Sequence, residues 1–484
     1  MKEKIFKHYI FTVFVLLLLL ISRFILLDQS ARFIWDESDD LLRMKEIYEN
    51  KRITLVGPIS GNNINVYGSL SYYMLMPFAV YMNFDPLGPV VGTAFYSVLT
   101  AILLAYFFYK KMHWSYPVAI LLFVSTFPLI QTGRWAWNPH YIPFWQTLSL
   151  IIFVIPQIHK KWFAWLLFGF LQGLGIHNHW YAVFSIIGVF LALSMYYIPR
   201  RKWNVLGGYV VGGSLAIAPF VVFDILRPPG LFLSRFLYFS PLTQVVDNAE
   251  SIHYVSRLWE LPYQFFHYFF QAPFPSLFFI AVIGVYVYVL YKRERYTKLL
   301  LLIPVVMQIY LLLVIKTQIN DHYFLPAVIP FLLFLSIPDE GKTFSFLQKS
   351  IIVLFIAFSL PASIEEILKN DWSTNIRRTK TITRIMHENI AGRCNVLAIA
   401  SADSGTTGKK YRDLLEVWGT KILGKEEYTD YDCLFVITTS DLATIQRDGA
   451  YEINLVRNTK PQKTWNIEGW NLYKFVRVPS LHTR

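Results

Sequence analysis

Residues 11–40, FTVFVLLLLLISRFILLDQSARFIWDESDD, join a long apolar run to four acidic side chains within five positions. The apolar part, Phe11–Leu27, follows Lys2, Lys4 and Lys7 and is longer than the core of a secretory signal. It carries Arg23 in its far half, and no small-x-small cleavage site follows, so it reads as a retained signal anchor. Basic flanks stay in the cytosol, which puts Trp35-Asp36-Glu37-Ser38-Asp39-Asp40 on the outer side. Two readings of those acids compete. They suit the first turn of a helix, and a carboxylate there can also take a proton from an incoming hydroxyl.

The rest of the chain is built like its start. Of 484 residues 55% are hydrophobic, 17% aromatic and only 16% charged, and several apolar runs reach the roughly 20 residues that cross a bilayer. The charge of +13 lies in short basic clusters between apolar runs. Such clusters set topology and make no continuous basic face, which excludes a nucleic-acid partner. Cys394 and Cys433, the two cysteines, form no metal-type spacing.

Placing Lys110-Lys111, Lys160-Lys161, Arg200-Arg201-Lys202, Lys292-Arg293-Arg295 and Lys342 with Lys349 in the cytosol requires two spans between successive clusters. The runs 88–109, 116–133, 141–158, 162–177, 180–198, 204–223, 274–291, 299–315, 322–337 and 350–367 supply them. With the anchor, the expectation is about eleven spans, a cytoplasmic N-terminus and an outer C-terminus. Ser69–Phe84 is apolar but short, holds Pro77 and would invert every later cluster, so it reads as a helix lying in the outer interface. The first outer loop then runs from about 28 to 87. The connection 224–273 also falls outside, its aromatic content suggesting partial immersion.

Beyond Pro361 the spans stop. The expected division is 1–367, a transmembrane catalytic domain, and 368–484, a soluble extracytoplasmic α/β domain. Its elements are a basic helix at 376–389, strands at Asn395–Ala400, Cys433–Thr438 and Leu472–Val478, and a helix near 409–418. Cys394 and Cys433 open two of the strands and can pair if those strands are neighbours; two buried thiols are the alternative. No glycine-rich phosphate loop follows either strand.

Polar and aromatic residues concentrate at three outer span ends: Arg134–His140, Ile176–Tyr181 and Lys316–Tyr323. An enzyme there needs an acid to activate an acceptor and cations to hold a phosphate. Asp36 and Glu37 are the catalytic candidates; Arg134, Lys316, His322 and Arg43 are the cationic ones. Arg134 could equally snorkel to headgroups. Asn138, His177, His179 and Trp180 are candidate acceptor or sugar contacts, although His177 and His179 at i and i+2 leave a helix on different faces. Asp36 with Asp39 or Asp40 offers the hard oxygens that Mg²⁺ or Mn²⁺ prefer, as a secondary reading beside no metal at all.

These residues carry a resemblance. An anchor and then an Asp-Glu pair opening a long outer loop resembles polytopic glycosyltransferases of the GT-C class. The nearest likeness is to the protein O-mannosyltransferase and aminoarabinose-transferase superfamily, glycosyltransferase family 39-like. Asp36-Glu37 with Leu42, Lys51-Arg52-Ile53-Thr54-Leu55-Val56-Gly57-Pro58, Gly68-Ser69-Leu70-Ser71-Tyr72-Tyr73 and Arg134-Trp135-Ala136-Trp137-Asn138-Pro139 match motifs of one bacterial group within it. The likeness spans about residues 1–367. It implies a mainly α, polytopic helical bundle in the cytoplasmic membrane that transfers a hexosyl or pentosyl group from a polyprenyl-phosphate donor. The acceptor would be a hydroxyl of a lipid, glycan or protein. Asp36 would be the general base of an inverting displacement and Glu37 would orient the loop. Arg134, Lys316, His322 and Tyr323 would neutralise the departing phosphate. The aminoarabinose branch carries a basic residue just after the pair; Ser38, Asp39 and Asp40 stand there instead. A transporter or lipid flippase is the alternative, and it would place charges deep within spans.

Overall fold

In the computed structural model the described residues are 2–59, 66–155, 157–234, 254–315, 318–337, 342–369, 375–399, 407–424, 427 and 431–477. They form two compact units. The first holds 1–25, 54–74 and 93–368; the second holds 26–53, 75–92 and 369–484.

The first unit is a helical bundle. Among the described residues five helices are long and apolar enough to cross a membrane: Leu87–Met112, Trp203–Leu226, Pro273–Lys292, Tyr296–Val314 and Phe346–Leu368. Shorter apolar helices are Ile10–Phe24, Tyr116–Ser125, Ala182–Tyr197 and Asp321–Ser336. The run expected as one span over 116–133 is split at Thr126 into Tyr116–Ser125 and Phe127–Gln131. Pro128 accounts for the restart, since proline is at home in a first helical turn. The backbone amide freed at Phe127 donates to Ser359 Oγ at 3.0 Å, and Ser363 Oγ donates to the Ser125 carbonyl at 2.9 Å. A neighbouring helix thus satisfies the groups that hydrocarbon cannot.

Two pairings fix the bundle. The helices Trp162–Asn178 and Trp203–Leu226 pack closely through Gly169-x-x-x-Gly173 and Gly208-x-x-x-Gly212. A Cβ at Gly212 would sit 1.9 Å from the Leu166 carbonyl oxygen, so only glycine permits this approach. The helix Tyr254–Phe270 lies inside the connection expected outside the spans. It buries Phe265, Tyr268 and Phe269 in the main aromatic core with Phe324, Phe331 and Phe355. Arg257, Glu260 and Pro262 interrupt its apolar run while leaving one apolar face, so it escapes a count of continuous spans.

The second unit is built on a four-stranded sheet. Two strands, β1 (Val56–Ile59) and β2 (Val66–Gly68), form a hairpin in the first unit. The sheet comprises β3 (Cys394–Ile399), β4 (Cys433–Thr438), β5 (Lys463–Ile467) and β6 (Trp470–Val476), in the order β3-β4-β6-β5. The β3 and β4 strands are parallel; the other pairs are antiparallel. Every residue of β4 is buried because helices cover both faces. Cys394 and Cys433 are register partners 4.5 Å apart at Cα and form a disulfide.

Residues 26–53 and 75–92, read from sequence as part of the membrane domain's outer loop, cluster instead with the C-terminal residues. The Asp28 carboxylate accepts from Arg377 Nε at 2.7 Å, and Lys380 pairs with Asp85. The helix Trp35–Asn50 packs along Lys409–Val417. Contacts spanning 295 to 375 positions leave no mark on local composition, which is why the linear division misplaces this segment.

Candidate active site

In the second unit the acidic stretch opens the helix Trp35–Asn50, with Asp36 and Glu37 in its first turn. Glu37 is buried and caps that helix from within: its Oε2 accepts the Ile34 backbone N–H at 2.8 Å. Ser38 Oγ donates to Asp413 Oδ2 at 2.6 Å. Lys409 Nζ donates to Asp413 Oδ2 at 2.7 Å and to Asp39 Oδ1 at 2.9 Å. Arg43 is engaged by Glu46 at 2.8 Å and, more loosely, by Asp39 at 4.0 Å. Asp36 differs from all of these. Its half-buried carboxylate has no hydrogen-bond or ion-pair partner among the described residues. Burial pushes it up to about 6, Asp39 adds to the rise and Lys409 opposes it. A carboxylate with free lone pairs and an acidity tuned towards neutrality is suited to accept a proton.

In the first unit the three polar span ends converge. Trp135 and Trp137 stack with centroids 4.4 Å apart. Trp137 meets His322 at 4.4 Å, and His179 lies 5.1 Å from His322 and 5.5 Å from Tyr323. Tyr67 stacks on His179 at 5.2 Å, and Tyr181 meets Tyr323 at 4.6 Å. His140 Nδ1 pairs with the Trp135 carbonyl at 2.7 Å, while Asn138 Nδ2 donates to the Asn178 carbonyl at 2.5 Å. Burial pushes His179 down to about 3, so its ring is neutral near pH 7. The cluster therefore offers aromatic faces, hydroxyls and an uncharged imidazole.

Other expected site residues have structural surroundings. His177 Nε2 pairs with the Ala216 carbonyl at 2.8 Å and its ring meets Phe220, away from the His179 cluster. A Cβ at Gly68 would lie 2.5 Å from His177 Nδ1, so this histidine is a seat for the β1–β2 hairpin. Trp180 holds the same hairpin, its Nε1 donating to the Val66 carbonyl at 3.0 Å. Arg134 is a correction to the expected phosphate ligand. It is 1% exposed, and its guanidinium donates to the carbonyls of Ser22, Ile25 and Ile367. Lys316 lies outside the described residues. No group of three His, Cys, Asp or Glu among the described residues is placed to hold a metal ion, and Asp39 is committed to Lys409. Trp137, Tyr67 and Tyr181 are the additions; the aromatic span ends marked Trp137 and Tyr181 in sequence, while Tyr67 in the first loop carried no such signal.

No family model matches the chain, and no curated protein matches it. Among the solved structures that share its fold are two of ArnT. One is ArnT from Cupriavidus metallidurans bound to undecaprenyl phosphate, at a TM-score of 0.57 and 10% identity over 98% of this chain and 99% of that one. The other is ArnT of the same organism in the apo state, at 0.51 and 10% identity over 96% and 97%. The fold is ArnT-like, a membrane helical bundle with a small C-terminal sheet, and the protein is integral to the membrane.

Proposed function

We propose that this protein is a membrane glycosyltransferase that moves a sugar from a polyprenyl-phosphate carrier to an acceptor hydroxyl. The observation that carries the reading is Asp36: a half-buried carboxylate, without a hydrogen-bond or ion-pair partner among the described residues, opening a helix of an ArnT-like chain. The undecaprenyl phosphate bound to one ArnT supports a lipid of that class as donor. The acceptor oxygen attacks the anomeric carbon while its proton passes to the Asp36 carboxylate. The bond from that carbon to the phosphate oxygen breaks, its electron pair leaves with the phosphate, and in-line attack inverts the carbon. Glu37 fixes the helix start that carries Asp36.

The transporter alternative gains nothing from the buried charges. Arg23 is held by Ser97 Oγ, Ser22 Oγ and the Leu129 carbonyl, and Arg134 by three carbonyls. Both act as bonded clamps. The test is Asp36→Asn, nearly isosteric and unable to serve as base. Transfer should be lost while expression and membrane insertion match wild type; wild-type turnover would discard the mechanism.

A further inference from the structure

The helix Lys409–Val417 contributes more than packing to the acidic helix. The helices Trp35–Asn50 and Lys409–Val417 meet through one four-member network, Ser38–Asp413–Lys409–Asp39. Lys409 is its hub, bridging a carboxylate on each helix at 2.7 and 2.9 Å. Asp413 is 7% exposed and its carboxyl is raised by burial, so its charge depends on Lys409 and Ser38 staying in place. Of the surrounding charges, Lys409 is the cation that acts on Asp36, and Asp39 is the anion. The others face elsewhere. Glu37 caps its own helix, Arg43 turns to Glu46, Lys410 lies over the Tyr411 ring and Arg412 reaches the carbonyls of Thr407, Leu423 and Val396. Asp40 lies beyond the first turn, one turn on from Asp36.

We propose that Lys409 is a positioning residue of the reaction: from the helix Lys409–Val417 it bonds Asp39, one turn from Asp36, and so docks the acidic helix and keeps a positive charge beside the Asp36 carboxylate. The inference rests on the reading of Asp36 as base. It also fits the departure noted in sequence, where Ser38, Asp39 and Asp40 follow the acidic pair in place of a basic residue. Here the lysine comes from about 370 residues downstream and bonds Asp39.

A titration that needs no substrate tests it. Infrared difference spectra of the purified full-length chain, wild type minus Asp36→Asn, isolate that one carboxyl as pH is varied. Lys409→Gln and Lys409→Met, each compared with its own Asp36→Asn double variant, should raise the midpoint by about one pH unit, the scale an opposite charge imposes at short range. Lys409→Arg should keep the wild-type midpoint. Thermal unfolding of each variant separates a lost charge from a lost fold, and the glutamine variant, which can still bond both carboxylates, serves if the methionine variant does not fold. An unmoved midpoint in a folded Lys409→Gln protein would overturn the proposal, as would a midpoint raised equally in Lys409→Arg. Turnover by Asp36→Asn sinks the base role alone and leaves the titration to be read on its own.

Discussion

At the residue scale, the four acids between positions 36 and 40 have different employments. Glu37 caps a helix, Asp39 holds a lysine, Asp40 lies one turn on from Asp36, and Asp36 has no hydrogen-bond or ion-pair partner among the described residues. A base works only when deprotonated. With Asp36 pushed up to about 6, transfer should rise with pH to a plateau above that value and fall roughly tenfold per pH unit below it. The pH profile of kcat/KM checks this; a profile flat between pH 5 and 8 would contradict it. Glu37→Gln keeps the shape and loses the charge of the cap. It should lower helix stability by about 0.5–1 kcal/mol and leave the limb near 6 in place, as thermal unfolding beside the pH profile would show. The sequence made the Asp-Glu pair stand out, but it could not divide the labour within it. That division depends on Lys409 and Asp413, both far away along the chain.

At the scale of elements, periodicity and turn chemistry performed unevenly, for physical reasons. The strand Cys433–Thr438 and the helix near 409–418 were legible because each is a pure pattern, fully apolar or amphipathic. The β5 strand was missed because it alternates with polar residues at a sheet edge, although Glu468-Gly469, with φ of 51° and 82°, marks its hairpin turn. Conversely, the facing glycines of Trp162–Asn178 and Trp203–Leu226 predict a close crossing. Gly212→Ala should cost about 1–3 kcal/mol by forcing the helices apart, read as a lower unfolding temperature in detergent. An unchanged value would mean that the crossing is looser than described. Between β3 and β4, the disulfide closes a separation of 39 positions. The Cys394→Ser/Cys433→Ser protein should lose about 2–4 kcal/mol of stability in its C-terminal unit, measurable by denaturant unfolding.

At the scale of the whole molecule, length and hydropathy were enough for a membrane bundle with a small α/β unit at its end. Three polar span ends marked in sequence do meet, through Trp137, His179, His322 and Tyr323. Arg134 misled, because a cation at the end of a span looks the same whether it awaits a phosphate or clamps three carbonyls. Charge clusters also predict orientation. Reporter fusions should place residues 110–115 in the cytosol and residue 450 outside, and the reverse at either point would undo the span assignment. The central claim, transfer from a lipid-borne sugar by way of Asp36, is tested most directly in the membranes of cells lacking the protein. Mass spectrometry of their lipid extracts should show a polyprenyl-phosphate sugar accumulating. Wild-type protein should clear it and Asp36→Asn, inserted at equal level, should not; an unchanged lipid pool, or clearance by the asparagine variant, would contradict the account.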